Sequence, residues 1–138
     1  MIPLVLTAQL IMQMMGFKFP ESEMFPGGKP LLWMLPLITL GIGIFEETYF
    51  RYLIMDCMLM RWLKFPAWLA IGYSSIAFGV MHFSNGLLVN NVMSALPQVI
   101  GATGAGFWFA YCYRKRGLHF AIMTHALYDF ILMALMYI

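Results

Sequence analysis

Two glutamates and an arginine interrupt an apolar part of the chain, in the stretch FEETYFRYLI. Two later apolar stretches each contain a histidine, and one of them also contains an aspartate. Carboxylates and histidines are the side chains that most often move protons in catalysis, and they also bind metal ions. The residues that could do such chemistry are Glu46, Glu47, Arg51, His82, His125 and Asp129.

The spacing of these residues suggests different roles for the two glutamates. Glu47 and Arg51 are four residues apart, so in a helix they share a face and can pair. Glu46 points about 100° away and lacks that partner, which suits a general base that later acts as an acid. His125 and Asp129 are also four residues apart, so the carboxylate can orient the imidazole.

The composition indicates that these residues lie in a membrane protein. The chain has 138 residues, of which 62% are hydrophobic and 10% charged, whereas soluble domains carry about 25% charged residues. We therefore predict an all-α fold, a single membrane domain over residues 1–138. A span needs about 20 residues, so the polytopic bundle has room for five or six helices. The net charge of +2 gives no support for a nucleic-acid partner.

Charged groups inside such a bundle are costly. A charged residue at the centre of a span costs about 2.5–3.5 kcal/mol, so four unpaired charges would cost about 10–14 kcal/mol. That is comparable with the whole stability of a domain, about 5–15 kcal/mol. The charges must be paired, neutralised or beside water. We predict that Glu46, His82 and His125, from three different helices, face one cavity.

The apolar periodicity and the breakers predict the elements. The segment 31–63 is too long for one span, and Pro36, Gly41 or Gly43 is the expected place for a bend. We read residues 87–97 as either a short re-entrant piece or the start of a span. The other predicted elements are helices over 2–17, 65–83, 98–113 and 118–138, a loop over 18–30, a turn at 61–66 and a helix end at Ser-Asn-Gly, 84–86.

Small residues at four-residue spacing predict a packing ridge. Ala102, Gly106 and Ala110 should contact another helix and should not line the cavity. The predicted depths of the site residues disagree. Counted from the basic turns at 1.5 Å per residue, His125 lies at about 14 Å and Glu46 at about 24 Å.

Three motifs in order resemble a known family. EETYFR fits the pattern EExxxR, FGVMH fits FxxxH, and HALYD fits Hxxx followed by Asn or Asp. Together they resemble the CPBP family, the CAAX prenyl endopeptidases and bacteriocin-processing enzymes also called Abi. The resemblance covers about residues 44–130. No HExxH, GxSG or GxGD motif of other intramembrane proteases occurs in the sequence.

The resemblance implies an intramembrane endopeptidase that acts on a peptide or lipidated, CAAX-like substrate. Glu46 would activate water, Glu47 and Arg51 would support it, and His82, His125 and Asp129 would complete the site. Two mechanisms stay open. Glu46, His82 and His125 could hold zinc with one open position, or the same groups could act on water without metal. The resemblance implies Asn at the end of the third motif in the prenyl-processing members. This chain has Asp129 there, which adds a negative charge to the site.

Two other classes of function fit the same residues. Buried carboxylates and histidines also suit a membrane transporter or proton relay, although the sequence has no repeated halves. A non-catalytic scaffold or immunity protein could use the same fold. In each case the lipid bilayer is a partner, in the cell membrane of a prokaryote or in an endomembrane such as the endoplasmic reticulum. The sequence leaves the oligomeric state undetermined.

Overall fold

A computed structural model of the chain describes residues 32–88 and 92–135, and these ranges are helical apart from short turns. The predicted helix 2–17 and loop 18–30 lie outside the described residues, as does 136–138. The α-helices are α1 (Leu35–Glu47), α2 (Ala67–Met81), α3 (Phe83–Leu88), α4 (Leu96–Arg116) and α5 (Leu118–Leu135). A π-helix, Thr48–Trp62, follows α1, and short 3-10 helices cover Leu32–Met34 and Val92–Ala95.

The segment 31–63 has no break at Pro36, Gly41 or Gly43. The chain continues from α1 into the π-helix without a break, and neither Gly41 nor Gly43 ends a helix. Pro36 lies in the first turn of α1, where its missing N–H leaves no hydrogen bond unmade. Gly43 instead serves packing, because a Cβ there would lie 3.1 Å from the carbonyl oxygen of Ile122 in α5.

The π-helix changes the depth of the residues it carries. At its end the N–H of Leu63 donates to the carbonyl of Met58 at 2.9 Å, which is the five-residue closure of this wider helix. A helix with more residues per turn rises less per residue than the 1.5 Å of an α-helix. Residues before it therefore lie nearer to the turn at 63–66 than the α-helical count predicted.

The predicted helix end at residues 84–86 is wrong. After one turn residue, His82, the chain enters α3, which includes Ser84, Asn85 and Gly86. The hydroxyl of Ser84 donates to the carbonyl of Met81 at 2.8 Å and so satisfies an acceptor at the end of α2. A glycine costs a helix only about 1 kcal/mol, which does not by itself end one.

Close packing of α2 against α4 forms the centre of the bundle. A Cβ at Gly79 would overlap Thr103 Oγ1, and one at Gly106 would lie 3.2 Å from Ser75 Cα. Ala110 is fully buried against the π-helix and α2. The predicted ridge is therefore right for Gly106 and Ala110.

The outer surface of the helices is apolar. Among the described residues, α5 is the one helix long and apolar enough to cross a membrane by length and composition, so the count of five or six spans stays a prediction. An exposed apolar surface of this extent suits contact with lipid. Among the described residues, its most exposed large side chains are Trp62, Trp68, Met93, Trp33 and Phe45.

Gly117 alone joins α4 to α5. Its φ of 84° lies in the left-handed region that glycine adopts without steric cost. The reversal places α5 beside α4 and α1, so the histidine of the third motif comes next to the glutamates of the first.

Candidate active site

The centre of the site is a buried ion pair between Glu47 and Arg51. Glu47 Oε2 lies 3.3 Å from Arg51 Nε, and both side chains are completely inaccessible to solvent. Arg51 Nη2 also donates to the carbonyl of Gly106 at 3.2 Å. The pairing predicted from the four-residue spacing is therefore present. The hydrogen bond from Arg51 to Gly106 links the π-helix to α4.

Aromatic rings surround the guanidinium of Arg51. Its Cζ lies 4.6 Å from the centre of the Phe78 ring and 5.9 Å from those of Phe50 and Phe109. Cation–π contacts of this kind are worth about 2 kcal/mol when the cation is desolvated. They compensate in part for the water that Arg51 loses on burial.

His125 on α5 contacts carboxylates through both ring nitrogens. Its Nδ1 lies 2.8 Å from Glu47 Oε1 and donates to it, because an ionised carboxylate can only accept. On the other side of the ring, Nε2 lies 3.3 Å from Asp129 Oδ2 and 3.6 Å from Glu46 Oε2. Phe109 stacks on the imidazole with ring centres 4.4 Å apart. These contacts fix the plane of the ring.

The two glutamates have different surroundings, although they are neighbours in the chain. Glu47 is fully enclosed, whereas Glu46 is partly exposed and lines a cavity of about 290 Å³. The predicted difference in depth between Glu46 and His125 is absent, since their side chains are 3.6 Å apart. The shorter rise per residue of the π-helix reduces the separation that the α-helical count gave.

The cavity lies where α1, α2, α3, α4 and α5 meet. Its walls include Glu46, His82, His125 and Asp129, so side chains from all three motifs face one space. The prediction that Ala102 avoids the cavity is wrong, because the first turns of α4 form one wall. The remaining lining residues are Ile42, Phe78, Asn85, Gln98, Ala105, Phe109, Tyr128, Leu132 and Met133.

His82 lies at the end of α2 and presents one nitrogen to the cavity. Its Nδ1 lies 2.9 Å from the carbonyl of Phe78, which can only accept, so Nδ1 is the donor. The ring meets Phe78 edge to face at 5.0 Å. This leaves Nε2 as the nitrogen that can act on a bound molecule.

The proposed zinc ligands do not form a set. Among the described residues no group of three His, Cys, Asp or Glu side chains is arranged to hold a metal ion. His125 already contacts carboxylates through both nitrogens, and His82 bonds to its own helix. Binding of zinc by Glu46, His82 and His125 therefore stays a prediction, and it would require these side chains to exchange their present contacts.

Two other ionisable residues, Asp56 and His119, lie away from this cluster. Asp56 bonds to Arg61 at 2.7 Å and to the hydroxyl of Tyr113 at 3.1 Å, near the turn at residues 63–66. His119 is exposed at the start of α5. Neither lines the cavity.

Sequence reasoning missed the residues that shape the cavity without carrying charge. Phe109 stacks on His125, yet it belongs to an apolar helix in which nothing distinguishes it from a lipid-facing aromatic. Asn85 and Gln98 also line the cavity. Amides in otherwise apolar segments were a usable signal for these two.

Comparison with known proteins agrees with the geometry. A family model described as type II CAAX prenyl endopeptidase Rce1-like matches residues 28–131. The chain belongs to this Rce1-like family. The match covers all three motifs and confirms the predicted family, and with it a CAAX-type intramembrane protease at family level. Neither a curated protein nor a solved structure matches the Rce1-like chain.

Proposed function

We propose that this Rce1-like protein is an intramembrane endopeptidase that cleaves a peptide or lipidated substrate with water activated by Glu46. The observation that carries the proposal is the meeting of Glu46, His125 and Asp129 at one cavity beside a fully buried support. Hydrolysis of a peptide needs a base for the water and a donor for the leaving amine. Both kinds of group line this cavity.

Glu46 is the general base in this mechanism. Of the two adjacent glutamates, it is the one that lines the cavity and makes no pair with Arg51. Its carboxylate would take a proton from water as the water attacks the peptide carbonyl, and would then return a proton to the leaving amine. The neighbouring imidazole of His125, 3.6 Å away, would hold the carboxylate toward the cavity.

Glu47 and Arg51 are positioning residues. Glu47 accepts from His125 Nδ1 through one oxygen and contacts Arg51 through the other, so it fixes the orientation of the imidazole. Fixing a catalytic group in this way lowers the cost of reaching the reactive geometry. Asp129 contacts the opposite nitrogen of the same ring.

His82 is suited to stabilise the oxygen of the tetrahedral intermediate. Its bond to Phe78 fixes the ring, and His82 lines the same cavity as Glu46. The imidazolium form, which keeps its Nδ1–H on the Phe78 carbonyl, would donate its Nε2–H to the developing oxyanion, a contribution typically worth about 10²–10³ in rate. In this mechanism a side chain of the protein stabilises the oxyanion.

Cleavage by the reconstituted protein tests the proposal. We expect wild-type protein in lipid nanodiscs to cleave a prenylated CAAX-type peptide, and Glu46→Gln to lower the rate by about 10²–10⁴ because the general base is lost. Asp56→Asn, which also removes a charged oxygen but lies outside the cavity, is the matched control and should cleave normally. Product formation is followed by mass spectrometry.

Three outcomes would overturn the proposal. Wild-type rates for Glu46→Gln would remove the assigned base. Proton-coupled uptake into vesicles without peptide cleavage would favour the transporter hypothesis. Absence of both activities would favour the non-catalytic scaffold.

A further inference from the structure

A second polar pair lies in the cavity, separate from the histidine cluster. Asn85 on α3 and Gln98 on α4 both line the cavity, and Asn85 Nδ2 donates to Gln98 Oε1 at 3.0 Å. Both side chains are half-buried. The mechanism proposed above uses neither of them.

The pair is placed near the reacting groups but not in contact with them. Asn85 follows His82 by three residues, and Gln98 lies in the first turn of α4. Along α4 the wall continues through Ala102 and Ala105 to Phe109, which stacks on His125. Gln98 and Phe109 are about 16 Å apart along the helix axis, at 1.5 Å per residue. A substrate that reaches the catalytic groups from this end would pass the two amides.

The chemistry of the pair matches that of a peptide backbone. A side-chain amide has two N–H donors and a carbonyl acceptor, and the bond between Asn85 and Gln98 uses one N–H of the first and one lone pair of the second. An unpaired peptide group in an apolar surrounding costs several kcal/mol, so a substrate segment in this cavity needs partners. Ionised Glu46 and Asp129 offer acceptors only. The amides add donors for substrate carbonyls.

We propose that Asn85 and Gln98 form a subsite that binds main-chain amide groups of the substrate and positions the peptide for cleavage. This inference rests on the proposed function, because it assumes a peptide in the cavity. To bind a peptide group, the two amides give up the hydrogen bond between them and form hydrogen bonds to the peptide group. The subsite therefore recognises the backbone of the peptide and is indifferent to the side chains beside it.

Binding to a non-cleaving protein tests the subsite directly. Affinity of a fluorescent prenylated peptide for Glu46→Gln in nanodiscs is compared with its affinity for Glu46→Gln carrying Gln98→Leu or Gln98→Glu. A lost hydrogen bond is expected to weaken binding about tenfold. Gln98→Glu retains the length of the side chain and removes both N–H donors, so it remains informative if the leucine variant folds poorly. Ser84→Ala, on the exposed side of α3, is the matched control and should bind normally.

A series of modified peptides distinguishes contact with the substrate from a purely structural role. Each peptide has one backbone amide replaced by an ester, which lacks the N–H and is a weaker acceptor. At the position that meets the subsite, the ester should weaken binding to the parent protein and cause no further loss in Gln98→Leu. Additive losses at every position, or unchanged affinity in both Gln98 variants, would overturn the subsite.

The same measurements separate this inference from the proposed function. If the peptide binds through Gln98 but wild-type protein never cleaves it, the subsite stands and the protease assignment fails. If wild-type protein cleaves the peptide and the Gln98 variants bind it with unchanged affinity, the subsite fails and the protease assignment stands.

Discussion

The long helix from residue 35 to 62 carries two carboxylate clusters, and they differ in what surrounds them. Glu47 contacts Arg51 and His125, with all three side chains almost completely buried. Asp56, two turns further on, contacts Arg61 and Tyr113, and the side chain of Arg61 is 67% exposed. Each cluster joins this helix to another one through a carboxylate. The first cluster adjoins the cavity, and the second lies outside it.

The difference shows why an ion pair alone does not indicate function. An exposed pair gains little, because water and salt screen the charges and the long side chains lose entropy. A buried pair has already lost its water, and removing one partner strands the other charge. Groups kept at such a cost beside a cavity are candidates for catalysis, whereas a pair at a helix end serves to join helices.

The largest effect should come from breaking the buried pair. Arg51→Ala or Glu47→Gln leaves one charge without its partner, and we expect a loss of about 3–5 kcal/mol in unfolding free energy together with loss of activity. Thermal unfolding in detergent measures the first and peptide cleavage the second. Unchanged melting temperatures in both variants would mean that the pair does not hold the helices together.

A bound metal ion would change the difference between the two clusters, because it would add positive charge beside the carboxylates of Glu46, Glu47 and Asp129. The arrangement of His82 and His125 predicts that zinc is not required. We expect chelator-washed protein to keep its cleavage activity at negligible metal content, measured by atomic emission on the same sample. Activity that is lost on washing and restored by zinc, with His82→Ala and His125→Ala each binding less metal, would reinstate the zinc hypothesis.

The smallest effect should come from the exposed pair. Arg61→Gln removes a largely solvated guanidinium, so we expect no measurable change in melting temperature and the same insensitivity in high salt. Lys64, exposed nearby in the turn, offers Lys64→Gln as a control for the loss of one positive charge. A destabilisation as large as that of Arg51→Ala would remove the distinction between the two clusters.

Residue type and spacing were sufficient to predict the polar core of the site. Four-residue spacing predicted that Glu47 would meet Arg51 and that Asp129 would lie on the same face as His125. The cost of burying charge predicted that groups from distant helices would meet. These arguments depend on local geometry and on a large energy, which is why they succeeded without a structure.

Other features depend on packing between helices, which a single sequence does not encode locally. The π-helix that follows Glu46 has no composition of its own, and counting at the α-helical rise did not show how Glu46 could meet His125. Phe109 became a support for the imidazole only because α4 lies against α5. Ala102 lines the cavity although its spacing suggested a packing ridge. Contacts between helices of this kind cannot be predicted from residue spacing along one helix.

The single-residue link at Gly117 has a consequence for biosynthesis. We expect helices joined so tightly to enter the bilayer together as a hairpin, since neither can cross without drawing the other behind it. Gln98, Phe109 and His125 all lie on this hairpin, so one complete wall of the cavity is inserted together. The helices that carry Glu46 and His82 emerge earlier from the ribosome, so their charged groups lack their partners until α4 and α5 follow. We expect quality control to act on the intermediate without these two helices, and loss of α5 to be cleared faster than loss of any catalytic side chain.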